Sequence, residues 1–231
     1  MERRRSITKV ELVVGTQAMT LLALLAMVAC EPKVQERGLI TKGISNCRQI
    51  ITSLRIYSSD HNGKYPDAFL KDKRTANAAF RILFEEQCID NEMIFGCPVS
   101  PLVPDGKIED TYIGNNGKYG DALEPGENHW MLTAGLTDAS PGAIPLVYEN
   151  ALTATWSPKW NADKVGKEVR GRAWTTGIII GMNDSSVSIQ PLAAKSGKAV
   201  GLKPDSITGK DYFEAAIDPK VFPKGEVLDI E

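Results

Sequence analysis

The sequence predicts an α+β fold, with a long N-terminal helix packed on a small antiparallel β-sheet. Three observations predict it. An apolar run directly follows a cluster of N-terminal arginines. A stripe of apolar residues at helical spacing then covers residues 40–54. Beyond residue 60, Gly/Pro/Asn turn signals and short β-branched runs replace the helical periodicity.

The helix is hydrophobic in its first part and amphipathic in its second. Residues 1–9 read MERRRSITK and residues 10–30 read VELVVGTQAMTLLALLAMVAC. The apolar stretch is about 20 residues, the length that a bilayer core of about 30 Å requires. Basic residues before it stay cytoplasmic, which sends everything after residue 30 outward. The expected location is therefore a membrane, single-pass, with the C-terminal domain on its non-cytoplasmic side. Residues 38–62 continue the helix, with Ile40, Ile44, Cys47, Ile51 and Leu54 stepping by four and three and with Ile50 and Tyr57 widening the stripe. Asn62-Gly63 ends it, because glycine readily takes the left-handed conformation past a helix C-terminus. Tyr65-Pro66 then forces an extended chain.

The second half reads as a small α+β domain. Thr75 to Cys88 predicts a short helix with Thr75 as N-cap and Ala79, Phe80, Leu83 and Phe84 on its buried side. Ile144 to Glu149 reads as a strand. Trp174 to Leu192 reads as a hairpin turning at Asn183-Asp184-Ser185-Ser186. Residues 151–173 are polar and predict an exposed loop, with Trp156 and Trp160 as half-buried anchors or a contact patch. Residues 193–231 predict a loose tail with a short helix near Tyr212–Ile217.

Composition narrows the function. The chain has 231 residues and a net charge of −2, with neither a basic surplus for nucleic acid nor an acidic run. Its two histidines, His61 and His129, and four cysteines, Cys30, Cys47, Cys88 and Cys97, form no CxxC pair and no cluster at ligand spacing in sequence. No zinc site is expected, and a structural role is expected for His129. Nucleophile elbow, Walker loop, dinucleotide fingerprint and HExxH motif are all missing from the sequence, so no enzyme is expected.

Several segments together resemble a family. Ser6-Ile7-Thr8-Lys9-Val10-Glu11-Leu12-Val13-Val14 is similar to the prepilin leader junction, with Thr8, Glu11 and the Leu-Val-Val run matching and Ser6, Ile7 and Lys9 departing from the usual Gly, Phe and Leu. Asn46-Cys47-Arg48-Gln49-Ile50, Leu54 to Tyr57, and Asp60 to Pro66 resemble the end of the long helix in major pseudopilins of type II secretion. Met93 to Pro98, Gly135 to Leu146 and the 174–190 hairpin resemble the same families more loosely; Asp184, Ser186 and Val187 match their closing turn, where Ser185 replaces a glycine. The resemblance implies a pilin-like, non-enzymatic pseudopilin, a structural subunit of a type II secretion or type IV pilus-like assembly.

It also implies sites and partners. A prepilin peptidase would process between Ser6 and Ile7, and Glu11 would guide assembly by pairing with the free N-terminal amine of a neighbouring subunit. Partners would be copies of itself or other pilin-like subunits and the inner membrane, with no nucleic acid. The expected organisation is a leader over 1–6, a transmembrane or assembly helix over 7–30, the soluble half of the helix and its turn over 31–66, a globular domain over 67–192 and the tail over 193–231. An alternative stays open at the N-terminus. Met27-Val28-Ala29-Cys30 approximates a lipobox, so Cys30 is a possible lipidation site of an envelope lipoprotein or membrane-anchored binding module. Cys88 and Cys97 are the disulfide candidates in an oxidising compartment, against two free thiols. No cofactor is expected. Calcium is the one candidate ion, because major pseudopilins often bind it and because Asp105, Glu109, Asp110, Asp121, Glu124 and Glu127 lie among loop signals.

Overall fold

A computed structural model of the chain describes residues 9–71, 74–108, 119–166 and 170–231, with side chains from residue 35 onward. Ser6, Ile7, Glu109, Asp110 and the turn signal at 114–117 lie outside the described residues, as do the side chains of Glu11 and Cys30. Two compact units divide after Leu39. Helix α1 (Lys9–Asp60) supplies all the described structure of the first and opens the second. Among the described residues no helix is long and apolar enough to cross a membrane; the side chains of the apolar run over 10–30 are outside that description.

α1 ends as its letters predict. Asn62 and Gly63 take φ values of 54° and 77°, and the Gly63 N–H closes on Ser58 O at 2.9 Å, which satisfies a terminal carbonyl of the helix. Tyr65 is extended at ψ 163°, as a residue before proline must be. A 3-10 turn follows at Pro66–Phe69. α2 (Ala76–Glu85) starts where Thr75 Oγ1 accepts the Ala78 N–H, and it buries Ala79, Phe80, Leu83 and Phe84 as expected. A second 3-10 turn covers Glu92–Phe95.

The sheet has five antiparallel strands: β1 (Trp130–Ala134), β2 (Pro145–Glu149), β3 (Ile178–Met182), β4 (Val187–Gln190) and β5 (Glu226–Leu228), in the order β4-β3-β2-β1-β5. Every residue of β1, β2 and β3 is buried. That requires cover on both faces, and it explains the unbroken Ile178-Ile179-Ile180 run.

α1 covers one face. Cys47, Ile50, Ile51 and Leu54 are all fully buried, and they lie on the side of the sheet that carries Val147, Ile179 and Gly181. The approach is close: a Cβ on Gly181 would collide with Ile51 Cδ1 and come within 2.8 Å of Cys47 Sγ. From the helix side, a Cβ on Gly43 would come within 2.7 Å of Ile179 Cδ1.

Residues 151–231 cover the other face, which corrects two expectations. The 151–173 segment is not simply an exposed loop: Trp160 is fully buried in a cluster with Met131, Tyr148, Ile178, Ile180 and Phe213. Trp156 is half-buried, edge-on to Phe213 and Phe222. Nor is the C-terminal region a loose tail. It contributes Leu202, Phe213 and Leu228 to the core, carries the short helix α3 (Tyr212–Ala216) on an Asp211/Glu214 capping box and ends as a sheet strand. Gly126 N–H to Glu231 O at 2.8 Å and Ala76 N–H to Asp229 O at 2.7 Å fasten its end. The apolar surface that these residues bury outweighs their weak local propensity.

The hairpin turn at 183–186 carries the strain that a serine in glycine's place implies, with Ser185 at φ 71°. The serine also supplies what glycine could not: its Oγ accepts Arg55 Nε at 2.9 Å, while Arg55 Nη2 donates to Asn183 O. Asn183 is fully buried and joins three segments. Its Oδ1 accepts the Tyr65 hydroxyl at 2.9 Å, and its Nδ2 donates to Thr137 O and Ser140 O at 3.1 and 2.8 Å.

Asp67 is buried with one oxygen, Oδ2, accepting Gly135 N–H at 2.8 Å and the other, Oδ1, without a hydrogen-bond partner. Burial raises its carboxyl from 3.8 to about 6. A carboxyl whose folded value lies above its unfolded value binds more protons when folded, so its contribution is complete below about pH 4 and is lost as pH rises through 6. The shift corresponds to roughly 3 kcal/mol. Asp67→Asn, which mimics the protonated acid, is expected to flatten the fall in urea midpoint between pH 4 and pH 7; an unchanged slope would refute the assignment. Gly181→Ala is expected to lower stability by about 1–3 kcal/mol through overpacking against Ile51 and Cys47, read as a lower urea midpoint at constant m-value.

Candidate functional site

A buried polar cluster sits on the α1 side of the sheet, at the end of β2. Glu149, the last residue of β2, is fully buried. Strand alternation places it on the same face as Val147, below the helix. Its Oε2 accepts the Ile179 N–H at 2.8 Å. Its Oε1 lies 3.0 Å from His129 Nε2 and 3.8 Å from Cys97 Sγ. His129 stands one residue before β1, where its N–H bonds to Phe95 O and its O accepts Asn150 N–H. Cys97 and Ser100 come from the loop after the second 3-10 turn. Asn46 of α1 ties that loop to the helix through Gly96 O at 3.1 Å.

The hydrogen bonds fix the imidazole's tautomer. Asn150 Oδ1 accepts Gly171 N–H at 3.1 Å, so its amide nitrogen must face His129 Nδ1, 2.9 Å away. A donor there makes Nδ1 an acceptor, which leaves the ring proton on Nε2 to be donated to Glu149. Ser100 Oγ also lies 2.9 Å from Nδ1. Burial, followed by the nearby Glu149 carboxylate, pushes the Cys97 thiol up, and the same two causes act in the same order on Cys47. Both stay protonated in this environment.

Ser100, His129 and Glu149 follow the hydroxyl–imidazole–carboxylate order of hydrolytic triads. Here the hydroxyl already accepts Leu102 N–H at 3.1 Å and His129 is only 2% exposed. The arrangement acts as a tie between loop, β1 and β2 rather than as a relay open to substrate.

The expected Cys88–Cys97 disulfide is not formed: both are free thiols. Cys97 turns inward to Glu149. Cys88, just past the end of α2, is half-buried with its Sγ 3.6 Å from Glu86 O. Cys47 is a buried core residue, as its place on the stripe predicts.

A second group lies at the surface. Of the expected acidic loop residues, Asp105 and Glu127 come together, joined by the buried Glu92, which the sequence reading missed. Glu92 accepts the Leu123 and Gly106 N–H groups at 2.6 and 2.8 Å, and burial pushes its carboxyl up. Glu127 accepts Asp105 and Glu124 N–H, and Asp105 pairs with the Lys107 ammonium at 2.6 Å. These carboxylates bind their own loops. A wide cleft of about 670 Å³ lies elsewhere, lined by Tyr57, His61, Phe69, Arg81, Ile82 and Glu86 among others. His61 stacks on Tyr57 there, with ring centroids 3.8 Å apart.

Glu149, Ser100 and Asn150 are the residues that sequence reading missed in the buried cluster, and His129 is its centre. The one available signal was a Glu-Asn pair closing an apolar strand. Comparison with protein-family models, curated proteins and solved structures yields no match.

The acidic group makes calcium binding directly testable. Because its carboxylates are occupied by backbone N–H groups and by Lys107, the melting temperature is expected to be the same with calcium as with EGTA. A rise of several degrees with calcium would overturn this.

Proposed function

We propose that this chain is a pilin-like pseudopilin, a non-enzymatic structural subunit of a type II secretion or type IV pilus-like assembly in the bacterial envelope. One observation carries the reading. The second half of α1 lies on an antiparallel sheet, and its Asn62–Pro66 exit is pinned by Asn183 to both the 137–140 loop and the closing hairpin. The segments with the strongest and the looser family resemblance thus meet at one buried side chain. The continuity of α1 from Lys9 to Asp60 agrees with the same reading.

The mechanism is packing. The apolar part of the helix is held in the inner membrane and withdrawn into a filament core, while the globular unit faces the periplasm or the exterior. A carboxylate within an apolar helix costs a few kcal/mol unless it is paired. Glu11 gains that partner from the N-terminal amine of an adjacent subunit, which becomes free when a prepilin peptidase cuts between Ser6 and Ile7. The partners are further copies or other pilin-like subunits.

The Met27–Cys30 sequence favours a second reading, a lipoprotein or anchored binding module lipidated at Cys30. Intact mass of the mature protein separates the two. A chain starting at Ile7 is expected, and a diacylated chain starting at Cys30 would sink the pilin reading. In cells that form the fibre, Glu11→Ala is expected to abolish polymer while leaving the monomer folded; undiminished fibres would refute the role of Glu11.

A further inference from the structure

We propose that Cys97, His129 and Glu149 form a binding site for a single divalent transition-metal ion of the zinc class. The ligand atoms come from three separate segments, and Sγ, one imidazole nitrogen and a carboxylate oxygen all lie within 4.8 Å of one another. The two separations from Glu149 Oε1, 3.0 Å to nitrogen and 3.8 Å to sulfur, bracket those around a tetrahedral ion. Metal–ligand bonds of about 2.0–2.3 Å set neighbouring ligand atoms roughly 3.4–3.6 Å apart.

Charge supplies an independent argument. Glu149 is fully buried, and its one ion-pair partner among the described residues is His129. The other groups beside its oxygens are Ile179 N–H and the Cys97 thiol. Burying a carboxylate is expensive unless opposite charge lies beside it. A divalent ion with one thiolate and one carboxylate makes the site neutral.

The proton balance is simple. The metal displaces the Cys97 thiol proton, which leaves to solvent, and coordination at a metal is what ionises a thiol held up by burial. To bind the metal through Nε2, His129 carries its ring proton on Nδ1, the reverse of the tautomer described above; Nδ1 then donates to Ser100 Oγ, and the Asn150 amide nitrogen keeps only its bond to His129 O. One proton is released per ion bound. Ile179 N–H keeps its bond to Glu149 Oε2, and together with Ser100 it orients the ligands from behind, as outer partners do in metal sites.

Cys97 also lines a small cleft of about 130 Å³ together with Lys42, Asn46, Pro98, Leu102 and Val103 among others, so one of the three ligands borders a cavity. The site does not depend on whether the chain assembles into a fibre. Its effect in the fold is to clamp the Cys97 loop to β1 and β2 beneath α1.

The test uses the full-length protein, stripped of metal under reducing conditions and titrated with Zn²⁺ and Co²⁺. Expected results are an equimolar endpoint, release of one proton per ion and, with Co²⁺, a sulfur-to-metal charge-transfer band. That band should persist in Cys47→Ser and Cys88→Ser and disappear in Cys97→Ser, and Glu149→Gln should weaken binding at least tenfold. X-ray absorption of the zinc-loaded wild type, which needs no variant to fold, should show one sulfur among nitrogen and oxygen neighbours. A shell without sulfur, a band that survives Cys97→Ser, or no binding by the folded wild type would each overturn the site.

Discussion

The close seat of α1 on the sheet is the constraint on which the rest of the structure depends. Cys47 and Ile51 occupy the space that a side chain at position 181 would fill, and Ile179 occupies the space that one at position 43 would fill. Because glycine leaves positions 43 and 181 without side chains, helix and sheet come near enough for Ile50, Ile51 and Leu54 to lose all contact with water. Burial of that apolar area is the main favourable term. It also dictates what can happen beneath the helix, because any polar group there must find its partners inside the protein.

The Glu149 cluster follows from that rule. A strand alternates its faces, so a glutamate at the end of β2 must point either to the covering segment over 151–231 or to α1. It points to α1, where no water competes. The structure surrounds it with an amide N–H, an imidazole N–H and a thiol. Those donors come from β3, from the residue ahead of β1 and from the loop tied to α1 by Asn46. The polar cluster thereby registers three elements against one another, which nonspecific apolar contact cannot do.

The other face is organised differently. It is built from aromatic packing, with Trp160 and Tyr148 around Phe213 and with Trp156 bridging Phe213 and Phe222 at the rim. The residues supplying it lie in segments of low periodicity, rich in glycine, proline and lysine. Such segments hold irregular conformations because a few large side chains are anchored and their backbone groups are paired, as between Trp160 and Val200. The same logic lets β5, only three residues long, serve as an edge strand: its neighbours Asp229 and Glu231 are fastened to the start of α2 and the 126 turn.

Much of the α1 half was legible in the sequence alone. Its apolar stripe, its Asn62-Gly63 stop, the Thr75 cap and the 178–189 hairpin each follow from local chemistry that acts over a few residues: helical periodicity, left-handed permissiveness, a hydroxyl near an exposed N–H, alternation about a turn. The triple isoleucine even carried the information that β3 is covered on both sides. Tertiary structure alone decided the remainder. The disulfide expectation failed because sequence proximity of Cys88 and Cys97 says nothing about direction, and Cys97 is turned inward by its loop's attachment to α1. His129 looked solitary because Cys97 and Glu149, which share its pocket, are 32 and 20 residues away in sequence. Trp160, Leu202, Phe213 and β5 looked like loop and tail because what orders them is the bare second face of a sheet built from other parts of the chain. Short-range signals are written along the sequence, whereas the cover of a face and the partners of a buried charge are set by which distant segments the completed sheet brings together.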